Sequence, residues 1–84
     1  METLKIGDLC FFDSMVGLIP CRLIAGERSP TGSLQLTLQV TSKRGGVYVR
    51  GDKIETSVNW AIPRKSVKVR NGVKKIVPYN VEIN

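Results

Sequence analysis

The feature that most constrains this chain is the dipeptide Asn71-Gly72, which lies between two short runs of β-forming residues. Asn-Gly is the preferred sequence of a type I′ turn, in which a two-residue loop joins antiparallel strands. Residues 67–70 are therefore predicted to pair with residues 73–76, in a register that places Lys68 directly opposite Lys75. Like charges in directly opposed positions destabilise a strand pair. The lysine pair thus indicates either an acidic partner or a protected sheet edge.

Alternation of apolar and polar residues predicts an all-β protein, because no segment shows the period of an amphipathic helix. The clearest strand is Leu34–Thr41, where Leu and Val alternate with Gln and Thr in the pattern of a half-buried antiparallel strand. We predict a first strand at Leu4–Phe12, with Gly7 as a bulge or a point of close backbone approach, and a second at Leu18–Ala25. Pro20 indicates that the second strand has an edge or a bulge there.

The second half of the chain contains shorter segments. A basic turn at Lys43–Gly46 leads into a strand at Val47–Arg50, and the ambiguous segment Lys53–Val58 is interpreted as a loop with a short strand. Ile62–Ser66 is predicted to form a single 3₁₀ turn before the hairpin. The last segment, Tyr79–Asn84, alternates cleanly, so it is expected to pair with another strand.

Burial can be predicted from the same pattern. Trp60 is expected to anchor the core, since a large aromatic side chain dominates a small core. Tyr48 would share a face with Arg50 and point outward. The residues predicted to be buried are Leu36, Leu38, Val40, Val47, Val49, Val67 and Ile76.

The length of 84 residues allows one domain spanning 1–84 with one modest core. No secretory leader and no apolar run of membrane-spanning length are visible, so a cytoplasmic location without membrane partners is the expectation. Cys10 and Cys21 lie in apolar surroundings and are expected to be buried thiols. They could form a disulfide only if their strands are neighbours.

Two segments resemble parts of SH3-like barrels. Ile6–Cys10 is similar to the opening strand of many such barrels, and Ala61–Val67 is similar to their 3₁₀ turn and following strand. The resemblance implies a small antiparallel barrel of five to six strands with a single 3₁₀ turn. The chain lacks the acidic loop and clustered aromatic groove of peptide-binding SH3 domains, and it extends beyond their usual final strand. A sixth strand or an exchanged tail is therefore expected.

Charge is distributed unevenly along the chain. Residues 1–42 carry a net charge of −1, whereas residues 43–84 carry +7, within a total of +6. Such asymmetry indicates a polyanionic partner or an acidic protein surface, although a basic surface can also serve solubility alone. Basic side chains neutralise phosphates and aromatic rings stack on bases. The candidate nucleic-acid-binding residues are Lys43, Arg44, Tyr48, Arg50, Lys68, Arg70 and Lys75.

Histidine is absent, which excludes a His-based triad, a His-containing zinc site and a thiol–imidazole pair. We therefore predict no enzymatic activity, no metal site and no cofactor. The favoured function is a small module that contacts nucleic-acid phosphates with little sequence specificity. The alternative is a protein-interaction or assembly module, such as an accessory protein of a phage or mobile element, whose terminal strand pairs with another subunit.

Overall fold

Strands and 3₁₀ turns make up the described part of the fold, so the predicted all-β class is confirmed. The computed structural model describes residues 1–15, 17–45 and 47–83, and of Arg44 and Gly45 it describes the backbone alone. The strands are β1 (Glu2–Lys5), β2 (Leu9–Ser14), β3 (Gly17–Arg28), β4 (Leu34–Val40), β5 (Arg44–Gly45), β6 (Tyr48–Val49), β7 (Lys53–Ser57), β8 (Ala61–Pro63), β9 (Val67–Arg70), β10 (Val73–Ile76) and β11 (Tyr79–Glu82). The 3₁₀ turns are Val58–Trp60 and Arg64–Ser66.

The main structural unit is a five-stranded antiparallel sheet in the order β7-β4-β3-β2-β8. β3 is its longest strand, with 12 residues, and its register with β4 shifts between Leu23 and Ala25. A bulge of this kind bends a strand and increases its twist. In the described part of the chain it is accompanied by three two-stranded sheets: β1 with β11, β5 with β6, and β9 with β10.

The core lies against one face of the main sheet. Alternate residues of β3 and β4 point into it, and Leu36, Leu38 and Val40 are buried as predicted. Leu38 lies opposite Leu23 in the β3–β4 ladder and opposite Ile54 in the β4–β7 ladder. Leu38 is therefore surrounded by apolar side chains from both neighbouring strands.

The finer details of the predicted architecture are not confirmed. Among the described residues the ladders form several separate sheets and no closed barrel, and the strands exceed the five to six predicted. The described residues form two 3₁₀ turns where one was predicted, because Ala61–Pro63 forms a strand paired to β2 between them. The predicted first strand is divided into β1 and β2 by a turn at Gly7, whose φ of 101° favours glycine.

Pro20 lies within the central strand β3, opposite Phe11, and so does not mark an edge strand. The β3–β4 ladder ends at the pair Cys21–Val40, and the Thr41 N–H donates to the Pro20 carbonyl oxygen at 3.0 Å. Proline has no N–H to donate to a neighbouring strand. It is tolerated at position 20 because the β3–β4 ladder, on the side where that N–H would point, has already ended.

Cys10 and Cys21 are directly opposed in the β2–β3 register, and both are buried and unbonded. The strands are thus neighbours, which satisfies the condition that a disulfide would require. Their burial confirms the expectation from the apolar surroundings.

The last strand pairs with the first. β11 runs parallel to β1, with Glu2 opposite Tyr79 and Leu4 opposite Val81, so the prediction that this segment pairs is confirmed. Its partner is a strand of the same chain. Ile83 then packs so closely on Gly26 that a Cβ atom there would lie 2.7 Å from the Ile83 Cδ1 atom.

Candidate functional site

The β9–β10 hairpin has the predicted register. Lys68 lies opposite Lys75, and Arg70 lies opposite Val73 on either side of the two-residue turn. Asn71 has a φ of 53° and Gly72 a φ of 76°, as both central residues of a type I′ turn require. Local turn chemistry therefore determines which side chains are neighbours here.

The hairpin is a ribbon with two different faces. Directly opposed residues share a face, so Lys68, Arg70 and Lys75 lie together with Val73 on one side, which we call the cationic face. All four of these side chains are exposed. The opposite face carries Val67, Val69, Lys74 and Ile76.

Burial of two hairpin residues was predicted wrongly. Ile76 is exposed and Val67 only half-buried, because β9 and β10 belong to a separate two-stranded sheet. In a two-stranded ribbon, no further strand or helix packs on the faces to bury their apolar side chains. Its residues consequently remain available to a partner.

The base of the hairpin is joined to the rest of the protein. The Val77 N–H donates to the Ser66 carbonyl oxygen at 2.8 Å, which closes the ladder beyond Ile76. Arg64 and Lys65 are exposed in the preceding 3₁₀ turn, and the Arg64 guanidinium lies 5.6 Å from the centre of the Phe11 ring. A cation over an aromatic face at this distance is attracted by the ring quadrupole.

The remaining predicted site residues lie on a different sheet, around β5 and β6. Lys43 is exposed, and Arg44 pairs through its backbone with Val49, while its side chain lies outside the described part. The Arg50 Nε–H donates to the Thr41 carbonyl oxygen at 3.1 Å. The predicted site is thus divided between two sheets: Lys68, Arg70 and Lys75 share one face, whereas the others flank β5 and β6.

Tyr48 does not point outward as predicted. It is half-buried and packs against the core, with its ring 6.1 Å from that of Phe12 and nearly perpendicular to it. Val47 and Val49, predicted to be buried, are 86% and 57% exposed. β6 has only two residues and pairs with β5 outside the main sheet, so its larger apolar side chain takes the inward position.

Trp60 is not the core anchor that its neighbourhood predicted. It lies at the end of the first 3₁₀ turn and is 53% exposed, whereas Ala61 and Ile62 beside it are buried. Trp60 instead lines a surface pocket together with Phe12 and Tyr48. The structure therefore clusters aromatic side chains that the sequence did not predict to be together.

Burial perturbs the ionisation of the cysteines. Loss of solvent raises the pKa of Cys10 to about 12, with Cys21 and Asp8 contributing, and raises that of Cys21 to about 11. Both thiols are therefore protonated at neutral pH, which disfavours a nucleophilic role. Burial likewise raises the pKa of Tyr79, whose hydroxyl donates to the Val58 carbonyl oxygen at 3.0 Å.

The described ranges contain no group of three or more His, Cys, Asp or Glu side chains placed to hold a metal ion. In the same ranges there is no helix with the length and hydropathy needed to cross a bilayer.

Comparisons with protein-family models, with curated proteins and with solved structures found no match to this chain.

Proposed function

We propose that this chain is a non-enzymatic module that binds nucleic acid through phosphate contacts made by the cationic face of its β9–β10 hairpin. The observation that supports this most strongly is the register, which places Lys68 beside Lys75 and Arg70 on the same exposed side of a ribbon. A directly opposed lysine pair is unfavourable for the isolated hairpin. A bound polyanion would relieve that repulsion.

The shape of the hairpin suits this role. A two-stranded ribbon is narrow enough to enter the major groove of B-DNA. Lysine and arginine on such a ribbon neutralise phosphates and release counterions, without reading the sequence. Arg64 and Lys65, exposed at the hairpin base, extend the positive charge toward the main sheet.

Docking of a protein is the second candidate, because Val69 and Val73 are largely exposed on the ribbon. Within the described residues β10 pairs only with β9, which leaves its outer edge available for β-augmentation. Self-pairing at this edge is disfavoured, however. If two copies of β10 paired in an antiparallel ladder centred between Lys74 and Lys75, Lys74 of each copy would lie opposite Lys75 of the other. Positively charged side chains on an edge strand oppose such association. A protein partner at this edge would therefore be acidic.

The strand order also supports the relation to SH3-like barrels, which we keep as part of this proposal. The long bent strand β3 lies at the centre, and a 3₁₀ turn precedes the edge strand β8. This fold hosts many unrelated functions, so it does not discriminate between the two candidates.

Fluorescence anisotropy with labelled single-stranded and double-stranded oligonucleotides tests the proposal. The double variant Lys68→Glu/Lys75→Glu should weaken binding to all sequences alike, because phosphate contacts carry no sequence information. For duplex DNA, loss of two phosphate contacts should reduce the slope of log K against log salt by about 1.8.

The matched control is Lys5→Glu/Lys53→Glu, which makes the same change in net charge at exposed positions on β1 and β7. It should weaken binding far less than the hairpin variant. Equal losses from both variants would show that overall charge, not the hairpin, attracts the nucleic acid. Absence of binding at low salt with protein above about 100 μM would refute the proposal, since non-specific binders usually have Kd values of about 10⁻⁴–10⁻⁶ M.

A further inference from the structure

An aromatic pocket lies apart from the hairpin, at the end of β2. It has a volume of about 420 Å³, and its lining includes the aromatic residues Phe12, Tyr48 and Trp60 together with Met15 and Val47. These side chains come from β2, the turn that follows it, β6 with the residue before it, and the first 3₁₀ turn. Tertiary structure therefore assembles a concave, ring-lined surface from distant parts of the chain.

Exposure of the pocket side chains is unusual for such large apolar groups. Trp60 is 53% exposed, and Met15 and Val47 are almost fully exposed. A small domain gains most stability by burying its largest side chains. Three exposed apolar side chains next to one pocket thus indicate a surface that is covered in the functional state.

We propose that the aromatic pocket binds an unpaired nucleobase of single-stranded nucleic acid, with Trp60 as the stacking surface. This inference rests on the proposed function and adds a substrate class to it. Stacking on aromatic rings tolerates every base, since each base has a π face. Trp60 lines the pocket and is 53% exposed, and Phe12 and Tyr48, which meet edge to face, line the same pocket.

Positive charge lies beside one of the elements that form the pocket. Lys43 precedes β5 and Arg50 follows β6, so cations flank the segment that supplies Tyr48. Neither side chain lines the pocket, so each would meet a phosphate beside the stacked base and not the base itself. Asp13 also lines the pocket, and its carboxylate is the one acidic group there. It would repel a phosphate but can accept a hydrogen bond from the exocyclic amino group of a base.

Intrinsic fluorescence gives a direct test, because Trp60 is the only tryptophan in the chain. We would titrate the protein with an oligothymidylate, with an oligocytidylate and with an abasic oligomer of equal length and charge. Base stacking should quench Trp60 with the first two oligomers, and the abasic oligomer should bind more weakly without quenching. Trp60→Ala should lower affinity for the base-containing oligomers about 5- to 150-fold, whereas Trp60→Phe should retain part of it.

The control variant is Val49→Ala, which truncates an exposed side chain of β6 that does not line the pocket. It should leave both binding and quenching unchanged. Circular dichroism of each variant would establish that the fold is intact.

The outcomes separate this inference from the proposed function. Equal binding of abasic and base-containing oligomers, without quenching, would overturn the base pocket and leave phosphate binding by the hairpin intact. No binding of any oligomer would refute both. Quenching by a proline-rich peptide or by tetramethylammonium, with none by the oligomers, would assign the pocket to another ligand and overturn the inference.

Discussion

Reversal of one lysine in the hairpin should stabilise it, because the pair Lys68–Lys75 is directly opposed. An opposite-charge cross-strand pair contributes about 0.2–1 kcal/mol, and a like-charge pair is unfavourable by a similar amount. Lys75→Glu should therefore change the free energy of hairpin opening by about 0.4–2 kcal/mol before screening. Both side chains are exposed, so we expect a value near the lower limit, about 0.5 kcal/mol.

Native-state amide hydrogen exchange is the suitable assay, since a peripheral ribbon can open without global unfolding. Backbone amides of β9 and β10 should exchange about twofold more slowly in Lys75→Glu than in the wild type, the factor that corresponds to this energy. The difference should shrink in 1 M salt, where the Debye length is about 3 Å. Nucleic-acid binding should weaken in the same variant, so stability and binding would change in opposite directions.

Lys74→Glu is the matched control. It has the same change in charge on the same strand, but the residue opposite is Val69, so no like-charge pair is removed. Slower exchange in both variants would show that a lower overall charge is responsible. If amide exchange is slower in neither variant than in the wild type, the proposed cross-strand repulsion is contradicted.

Three further predictions concern the core, the last strand and the thiols. Leu38→Ala should lower the free energy of unfolding in urea by about 2–5 kcal/mol, whereas Val69→Ala should change it by less than about 0.5 kcal/mol; similar losses would contradict the assigned burial. Removing residues 79–84 should lower the free energy of unfolding and leave the number of subunits per particle in light scattering unchanged, because β11 pairs with β1 of its own chain. Conversion from oligomer to monomer would instead support an exchanged tail. In the folded protein the pKa values of Cys10 and Cys21 lie above the ordinary value of 9.0, so the thiols of the unfolded chain ionise first as the pH rises. The contribution of these two thiols to the free energy of unfolding should therefore be constant below about pH 9 and should fall between pH 9 and 12. A Cys10→Ala/Cys21→Ala variant should show a smaller decline, and an equal decline would show that other groups are responsible.

Local sequence was sufficient where a strand's neighbours are close in the chain. Asn71-Gly72 determines the turn, and the turn determines the register that places Lys68 beside Lys75. The same holds for Leu34–Val40, whose alternation identifies both the strand and its buried face. In each case the period of two links a residue's position to its face, and this relation needs no distant contact.

Local sequence also determined the charge of the candidate site but not its layout. The excess of basic side chains after residue 42 is visible in the sequence. It led to the prediction that Lys43, Arg50 and the hairpin cations belong to a single nucleic-acid-binding site. The structure divides them between the β5–β6 and β9–β10 sheets. Sequence spacing could not predict that division, because it depends on which strands pair across the fold.

Only the tertiary structure decided which large side chains remain exposed. Val47 and Val49 looked apolar enough for the core, and Trp60 looked like its anchor, yet all three are exposed while Tyr48 is turned inward. β6 is too short to impose the alternation of a long strand, and a 3₁₀ turn does not follow a period of two. In such short elements the inward position goes to the side chain that the rest of the core can accommodate, and that is a property of residues far away in the sequence.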